Sequence, residues 1–212
     1  MLHCRKRLWT APVIAMAITL AAAGSAYALV ITGADGADRI IGSHQADTIA
    51  AKGGPDRIFA LAGADQVDAG DGDDRVKAGA GDDQVDAGDG NDHVRGGDGG
   101  DTIDAGNGFD RVRAGLGADT VRGGEGFDVL RGGLGRDSVS GGPGNDRVFA
   151  SARRDDIGDT VNGDEGDDRL FTRDGVADTV NCGPGFDRAR VDQHDVVAAD
   201  CERVRLRSRP RG

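Results

Sequence analysis

A nine-residue repeat that runs without a slip from residue 33 to residue 149 constrains the fold of this chain more than any other feature. Each of the thirteen units carries an aspartate at its sixth position and an aliphatic residue at its eighth. A flexible acidic linker has no reason to keep an aliphatic residue at every ninth position. A fixed short period instead predicts a solenoid, in which each repeat is a structural unit that stacks on its neighbours.

The residue after the aspartate alternates between two kinds, so the true period is eighteen. It is basic in most odd-numbered units and polar but uncharged in even-numbered ones, which two short strands per coil would produce. Because strand side chains alternate between faces, the residues that flank the inward aliphatic point outward. We expect one basic face, opposite a face that is neutral to acidic. The arginines expected on the basic face are Arg39, Arg57, Arg75, Arg95, Arg111, Arg113, Arg131 and Arg147.

Glycines recur at the first, second and fourth positions of the units, before the aspartate. Glycine permits positive φ and close backbone approach, so carbonyl oxygens can converge on an ion. Calcium takes six to eight oxygen ligands from carboxylates and backbone carbonyls. A glycine turn that ends in aspartate offers both kinds of ligand, and the pattern therefore favours calcium binding.

Three units show the full pattern: AGDGDDRVK at 69–77, GGDGGDTID at 96–104 and GGPGNDRVF at 141–149. They resemble the G-G-x-G-x-D-x-U-x nonapeptide of the RTX, or hemolysin-type, calcium-binding family. The resemblance implies an all-β fold, a right-handed parallel β-roll with two short strands per 18-residue coil. It also implies that the first six residues of a unit form a turn holding half of a calcium site, and that the last three form a strand.

The expected calcium ligands are the sixth-position aspartates and the turn glycines of the best-formed units. Asp47 is left out because Gln45 replaces the fourth-position glycine of its unit. The carboxylate ligands are Asp38, Asp56, Asp65, Asp74, Asp83, Asp92, Asp101, Asp110, Asp119, Asp128, Asp137 and Asp146. The glycine ligands are Gly70, Gly72, Gly79, Gly81, Gly88, Gly90, Gly97 and Gly99. If each ion lies between two successive units on one side, seven to ten ions bind, depending on how many units take part.

Calcium is expected to be required for folding. Each unit buries essentially one aliphatic side chain, which stabilises by roughly 1.5–3 kcal/mol. Ordering its backbone costs on the order of 9–18 kcal/mol in entropy, and stacked aspartates repel one another. We therefore expect a calcium-free chain that is largely disordered.

The chain divides into three parts. Residues 1–28 have the basic start, the apolar stretch and the Ala-Tyr-Ala end of a secretory signal peptide, which predicts an extracellular protein without a transmembrane anchor after processing. Residues 29–181 hold the repeats, regular over 33–149 and degenerate over 150–181, where Ile157 and Val176 replace the fourth-position glycine. Residues 182–212 form an expected C-terminal cap and a basic tail. In an oxidising compartment Cys182 and Cys201 are expected to form a disulfide that links the cap.

No constellation of catalytic residues stands out, and we expect no enzymatic activity. The pattern favours a secreted calcium-binding protein that adheres to an anionic polysaccharide or cell surface and binds no nucleic acid. A calcium-stiffened structural or surface-layer protein is the alternative. An ice-binding solenoid is a third hypothesis, suggested by a threonine row that Gln66 and Gln84 interrupt.

Overall fold

The computed structural model describes residues 17–23, 26–151 and 157–206, and every regular element in these residues is a β-strand. No helix in the described part of the chain is long and apolar enough to cross a membrane. The strands wind into a parallel β-solenoid of about ten coils with 18 residues each. This confirms the fold class expected from the period.

Two sheets form opposite walls of the solenoid, and we name them after their outward residues. The threonine sheet has eleven strands. Its strands are Ala17–Ala23, Ala26–Thr32, Thr48–Ala50, Gln66–Asp68, Gln84–Asp86, Thr102–Asp104, Thr120–Arg122, Ser138–Ser140, Thr160–Asn162, Thr179–Asn181 and Val196–Val197. The arginine sheet has ten strands. They are Arg39–Ile41, Arg57–Ala62, Arg75–Ala80, His93–Asp98, Arg111–Leu116, Val129–Leu134, Arg147–Ser151, Arg169–Phe171, Arg188–Val191 and Arg203–Leu206. A short two-stranded pair, Asn107–Gly108 and Glu125–Gly126, lies in the turns.

The parallel register stacks equivalent residues of successive coils. Arg111 pairs with Val129 and with His93, and Thr102 pairs with Thr120. The register continues across the degenerate units, where Ser138 pairs with Thr160 and the step lengthens to 22 residues. A four-residue insertion, which the sequence places at 150–153, produces this longer step.

The core is a narrow column between the two sheets. The eighth-position aliphatics, such as Val76, Val94 and Leu130, are buried in every described coil of the regular part. The sequence reasoning missed a second contributor, because first-position alanines such as Ala69 and Ala87 are also fully buried. A unit therefore adds one aliphatic side chain, and a second, small one where it begins with alanine, so the core stays narrow.

The two ends differ from the regular coils. At the N-terminal end, Ala17–Ala23 pairs antiparallel with Ala26–Thr32, and these two strands contain the described part of the predicted signal peptide. The rest of that segment, residues 1–16 and 24–25, lies outside the described residues, as does the tail from residue 207. At the other end Cys182 and Cys201 form a disulfide, as expected. The bond joins the buried end of one coil to the last turn of the chain.

Candidate calcium ladders and basic face

The turns between the sheets place the sixth-position aspartates in two ladders along the solenoid. The arginine-side ladder precedes the strands of the arginine sheet, and the threonine-side ladder precedes those of the threonine sheet. The arginine-side ladder contains Asp38, Asp56, Asp74, Asp92, Asp110, Asp128, Asp146, Asp168 and Asp187. The threonine-side ladder contains Asp47, Asp65, Asp83, Asp101, Asp119, Asp137, Asp159 and Asp178.

One oxygen of each carboxylate holds the side chain in place. The backbone N–H of Asp92 donates to Oδ1 of Asp110 at 2.7 Å, and that of Asp110 donates to Oδ1 of Asp128 at 2.9 Å. On the other side the Asp101 N–H donates to Oδ1 of Asp119 at 2.8 Å. Each aspartate is thus fixed by the coil before it.

The second oxygen, Oδ2, is buried without a hydrogen-bond donor at twelve described ladder positions. Within the described part of the chain this holds for Asp56, Asp65, Asp74, Asp83, Asp92, Asp101, Asp110, Asp119, Asp128, Asp146, Asp168 and Asp187. A buried carboxylate oxygen without a donor is costly unless a cation neutralises it. A row of such oxygens at the strand spacing of about 4.8 Å therefore fits a row of divalent cations.

Burial and mutual repulsion raise the affinity of these carboxylates for protons. Desolvation, the largest cause, raises the pKa of Asp92, Asp101 and Asp110 to about 7. The backbone N–H bonds act in the opposite direction, and neighbouring ladder carboxylates such as Asp128 raise the pKa of Asp110 further. Without a cation, the ladders are therefore strained near neutral pH.

The turn glycines differ in backbone conformation from one position of the unit to another. The second- and fourth-position glycines in the expected ligand set all have positive φ, between 93° and 147°. At Gly72, with φ 138°, an added Cβ would lie 2.5 Å from the carbonyl oxygen of Gly54, so the turns of successive coils are in close backbone contact. Gly96, at the first position, does not adopt positive φ. That position faces the core, which is why alanine replaces glycine there.

The first two units hold their carboxylates differently. Asp38 Oδ2 accepts the N–H of Ala34 at 2.7 Å. Asp47 Oδ2 accepts the N–H of Ser43 at 2.6 Å, and its Oδ1 accepts the N–H of Leu29 at 2.7 Å. The donors to Oδ2 thus occupy oxygens that have no donor in the next coils, whereas the Leu29 contact to Oδ1 follows the regular ladder pattern. Of the two, Asp38 is in the ligand set expected from sequence, and its site stays a prediction.

Sequence reasoning left the degenerate coils out of the ligand set, although the ladders continue through them. The N–H of Asp146 donates to Oδ1 of Asp168 at 2.7 Å, and that of Asp168 donates to Asp187 at 2.8 Å. The sixth-position aspartates of these coils are visible in the sequence and could have placed them in the expected ligand set. Carboxylate oxygens of Asp159, Asp174 and Asp178 also lie within 4.8 Å of one another, in units where valine or isoleucine replaces the fourth-position glycine.

A second grouping with metal-ligand chemistry consists of Cys182, Asp200 and Cys201. Its two sulfurs are joined in the disulfide. The thiolates that a soft metal would need are therefore not available while that bond is intact.

The outward surface of the arginine sheet carries a column of cations at the seventh position and another at the ninth. Every strand of this sheet presents at least one Arg or Lys, and no acidic residue occupies a seventh or ninth position in its ten described strands. We call this surface the basic face. It contains Arg39, Arg57, Arg75, Lys77, Arg95, Arg111, Arg113, Arg131, Arg147, Arg169, Arg188, Arg190, Arg203 and Arg205. All eight arginines expected from sequence lie here, and the last five are additions from the degenerate coils and the final strand.

Aromatic rings lie among the cations of the basic face. Phe149 and Phe171 stack on each other, with ring centroids 4.5 Å apart and planes at 5°. The Arg131 guanidinium lies 4.8 Å from the Phe149 ring, and that of Arg190 lies 5.3 Å from the Phe171 ring. Such contacts attract through the negative face of the ring.

The threonine sheet has a different surface. Its seventh positions are mostly Thr, Gln and Ser, and its ninth positions include Asp68, Asp86 and Asp104 in three successive coils. Burial, followed by repulsion from Asp104 and Asp68, raises the pKa of Asp86. The solenoid therefore has two faces of opposite character.

A family model of the RTX calcium-binding nonapeptide repeat, four copies long, matches nine overlapping stretches of the chain. The chain belongs to the RTX calcium-binding nonapeptide-repeat family. The matched stretches are 30–58, 45–76, 59–94, 68–103, 77–112, 95–130, 113–148, 122–157 and 155–188. Membership of the RTX family implies that the protein binds calcium, as the unpaired ladder oxygens require. No curated protein matches the chain.

In this RTX protein the chain's own groups suit calcium well. The ladder carboxylates and the carbonyl oxygens of the glycine turns supply hard oxygen ligands, and bound calcium supplies the positive charge that holds successive coils together. In the folded coil Oδ1 of each regular ladder aspartate accepts an N–H from the preceding coil, so Oδ2 would be the oxygen available to the ion. Glycine lets the turns of successive coils approach closely, because no Cβ lies between them.

Proposed function

We propose that this protein is a secreted module that folds on binding calcium and then adheres, through its basic face, to acidic polymers on a surface outside the cell. The composition of the basic face is the main support for this proposal. Fourteen Arg and Lys side chains cover ten successive strands without an acidic residue among them at the outward positions. A solvated surface has no need to separate charge in this way, since mixed signs serve solubility as well.

Calcium controls the charge around that face. Removal of residues 1–28, which contain Arg5, Lys6 and Arg7 and no acidic residue, changes the net charge from −11 to −11 − 3 = −14. Seven divalent ions would bring that charge to about zero. The arginine-side ladder borders the basic face, so loading it removes the negative charges that lie nearest to the arginines. Calcium therefore both orders the face and makes it attractive to polyanions.

Chromatography on an immobilised anionic polysaccharide tests the proposal. The protein is expected to be retained at low ionic strength with calcium and to elute with chelator. Arg111→Gln should weaken retention, whereas Arg122→Gln, the same change on the threonine sheet, should not. Equal losses in the two variants, or no retention with calcium, would contradict the proposal.

A second candidate function is that of a calcium-stiffened structural rod. The last coil favours it, because Val196, Val204 and Leu206 are 66%, 42% and 67% exposed there. Apolar residues and open strand edges at one end of a solenoid can bind a second copy. Light scattering over a range of protein concentrations in calcium tests this candidate. A monomer at all concentrations would exclude it, and neither candidate involves catalysis.

A further inference from the structure

The ninth-position column of the basic face has two parts, which differ in how cations and aromatic rings are arranged. Lys77, Arg95 and Arg113 follow one another in its first part. In the described part of the chain no aromatic ring lies under Arg95 or Arg113. In the second part, two rings lie between two arginines. We call that second part the anchor column; it consists of Arg131, Phe149, Phe171 and Arg190.

The rings fix the two guanidinium groups of the anchor column. A contact with a ring face uses none of the five N–H donors of Arg131 or Arg190, so both groups can still bind an anion. A side chain that is already held in place loses less conformational freedom on binding. Arg131 and Arg190 are therefore better prepared for bidentate recognition of an anion than Arg95 and Arg113.

The spacing within the anchor column indicates the kind of ligand. Arg131 and Arg190 are three strand steps apart, or about 14 Å, and the partly buried rings of Phe149 and Phe171 form an apolar strip between them. A nucleic-acid strand carries a phosphate about every 3.4 Å along a continuous charged backbone, and that backbone offers no apolar surface to the strip. A polyuronate carries one carboxylate on each sugar ring, and the C–H groups of the ring give it an apolar surface beside that carboxylate. Arg147 and Arg169, in the neighbouring column, lie beside the strip and can bind acidic groups in between.

We infer that the anchor column is a subsite for a linear carboxylated polysaccharide, which lies along the solenoid axis with its carboxylates on Arg131 and Arg190 and its sugar rings over Phe149 and Phe171. This inference rests on the proposed function, because it names the class of polymer and the residues that select it. The stacked arginines supply the fork geometry that lysine lacks. The remaining cations of the basic face add charge attraction that any polyanion can use.

Two matched double variants test the inference. Arg131→Lys with Arg190→Lys keeps the charge but removes the stacked forks. Arg95→Lys with Arg113→Lys makes the same change in the same column, where no ring lies underneath. Affinity is measured by calorimetry for a short oligogalacturonate, too short to gel, at a buffered free calcium concentration. Far-UV circular dichroism checks that each variant folds.

The anchor-column variant is expected to bind the oligogalacturonate about tenfold more weakly, and the control variant less than about twofold more weakly. Phe149→Leu with Phe171→Leu should also lose about fivefold, whereas Phe109→Leu, on a turn where the ring is 62% exposed, should not. Equal losses in both Arg-to-Lys variants, with binding by the unmodified protein intact, would overturn the subsite and leave the adhesion proposal standing. Binding of a single-stranded oligonucleotide of equal charge as tightly as the oligogalacturonate would overturn the polymer class. No binding of either probe by the unmodified protein would overturn the proposed function itself.

Discussion

Replacing one central ladder carboxylate should change stability in opposite directions with and without calcium. Asp110 lies between Asp92 and Asp128, its Oδ1 accepts the Asp92 N–H at 2.7 Å, and its Oδ2 is buried without a donor. Asp110→Asn keeps the size of the side chain and an oxygen for that N–H. It removes the charge and replaces Oδ2, the predicted calcium ligand, with an amide nitrogen.

The magnitudes follow from the ladder spacing. At about 4.8 Å and an effective dielectric constant of about 20, two like charges repel by roughly 3.5 kcal/mol. Removing the charge of Asp110 therefore relieves up to about that much with each neighbour when no calcium is present. In calcium at 100 times the dissociation constant, each lost site costs about 2.7 kcal/mol, and Asp110 can serve the site above and the site below. Asp110→Asn should thus raise stability in chelator and lower it in calcium.

The residual strand content in chelator, by far-UV circular dichroism, and thermal unfolding in calcium measure the two effects, together with calorimetric ion counting. The variant should bind one or two fewer ions than the unmodified protein. Asp104→Asn, which removes an exposed carboxylate from the threonine sheet, serves as the control and should keep the full count. An unchanged ion count in Asp110→Asn, or a stability change of the same sign in both conditions, would refute the reasoning.

Three further predictions concern pH, the turn backbone and the disulfide. Because burial raises the pKa of Asp92, Asp101 and Asp110 to about 7, well above an unfolded value near 4, the calcium-free protein should gain strand content as pH falls from 8 to 5. With limiting calcium the strand content should instead fall as pH falls from 8 to 5, since protons and calcium compete for the ladder carboxylates. Circular dichroism at both pH values, with and without calcium, measures this, and the same pH dependence in both conditions would contradict it. Gly72→Ala should lower the free energy of unfolding by more than about 1–3 kcal/mol, because φ at this position is 138° and the added Cβ would clash with Gly54. Gly36→Ala is the control: its Cβ meets nothing within 4 Å, so it should cost less than about 1 kcal/mol. Equal melting temperatures of the two variants would contradict the close contact. Reducing the Cys182–Cys201 bond, whose sequence separation is 19, should destabilise the calcium-loaded protein by about 3 kcal/mol, and denaturant titrations that coincide with and without reductant would contradict a stabilising role.

The period of the sequence was sufficient to predict the two sheets, the coil length and the outward position of the arginines. It succeeded because each coil contacts only its neighbours, so the local pattern determines the register. The alternation after the aspartate continues past the insertion in the sequence, in agreement with the pairing of Arg147 with Arg169. The positive φ of the second- and fourth-position glycines followed from the same pattern.

Other features depend on contacts between coils that the period does not encode. The unpaired Oδ2 atoms appear only once Oδ1 of each aspartate is seen to accept an N–H from the preceding coil. The stacking of Arg131 on Phe149 requires that two different residues meet at equivalent positions of adjacent coils. The first two units also escape the pattern, since the N–H groups of Ala34 and Ser43 donate to Oδ2 of Asp38 and Asp47.

A calcium titration of the mature, oxidised protein, followed by circular dichroism and calorimetry on the same sample, shows whether calcium folds the solenoid. We expect a largely disordered chain in chelator and a cooperative gain of strand structure as several ions bind. Full strand content in chelator with no heat of calcium binding would contradict it, and the aspartate ladders would then be acidic surface without a metal.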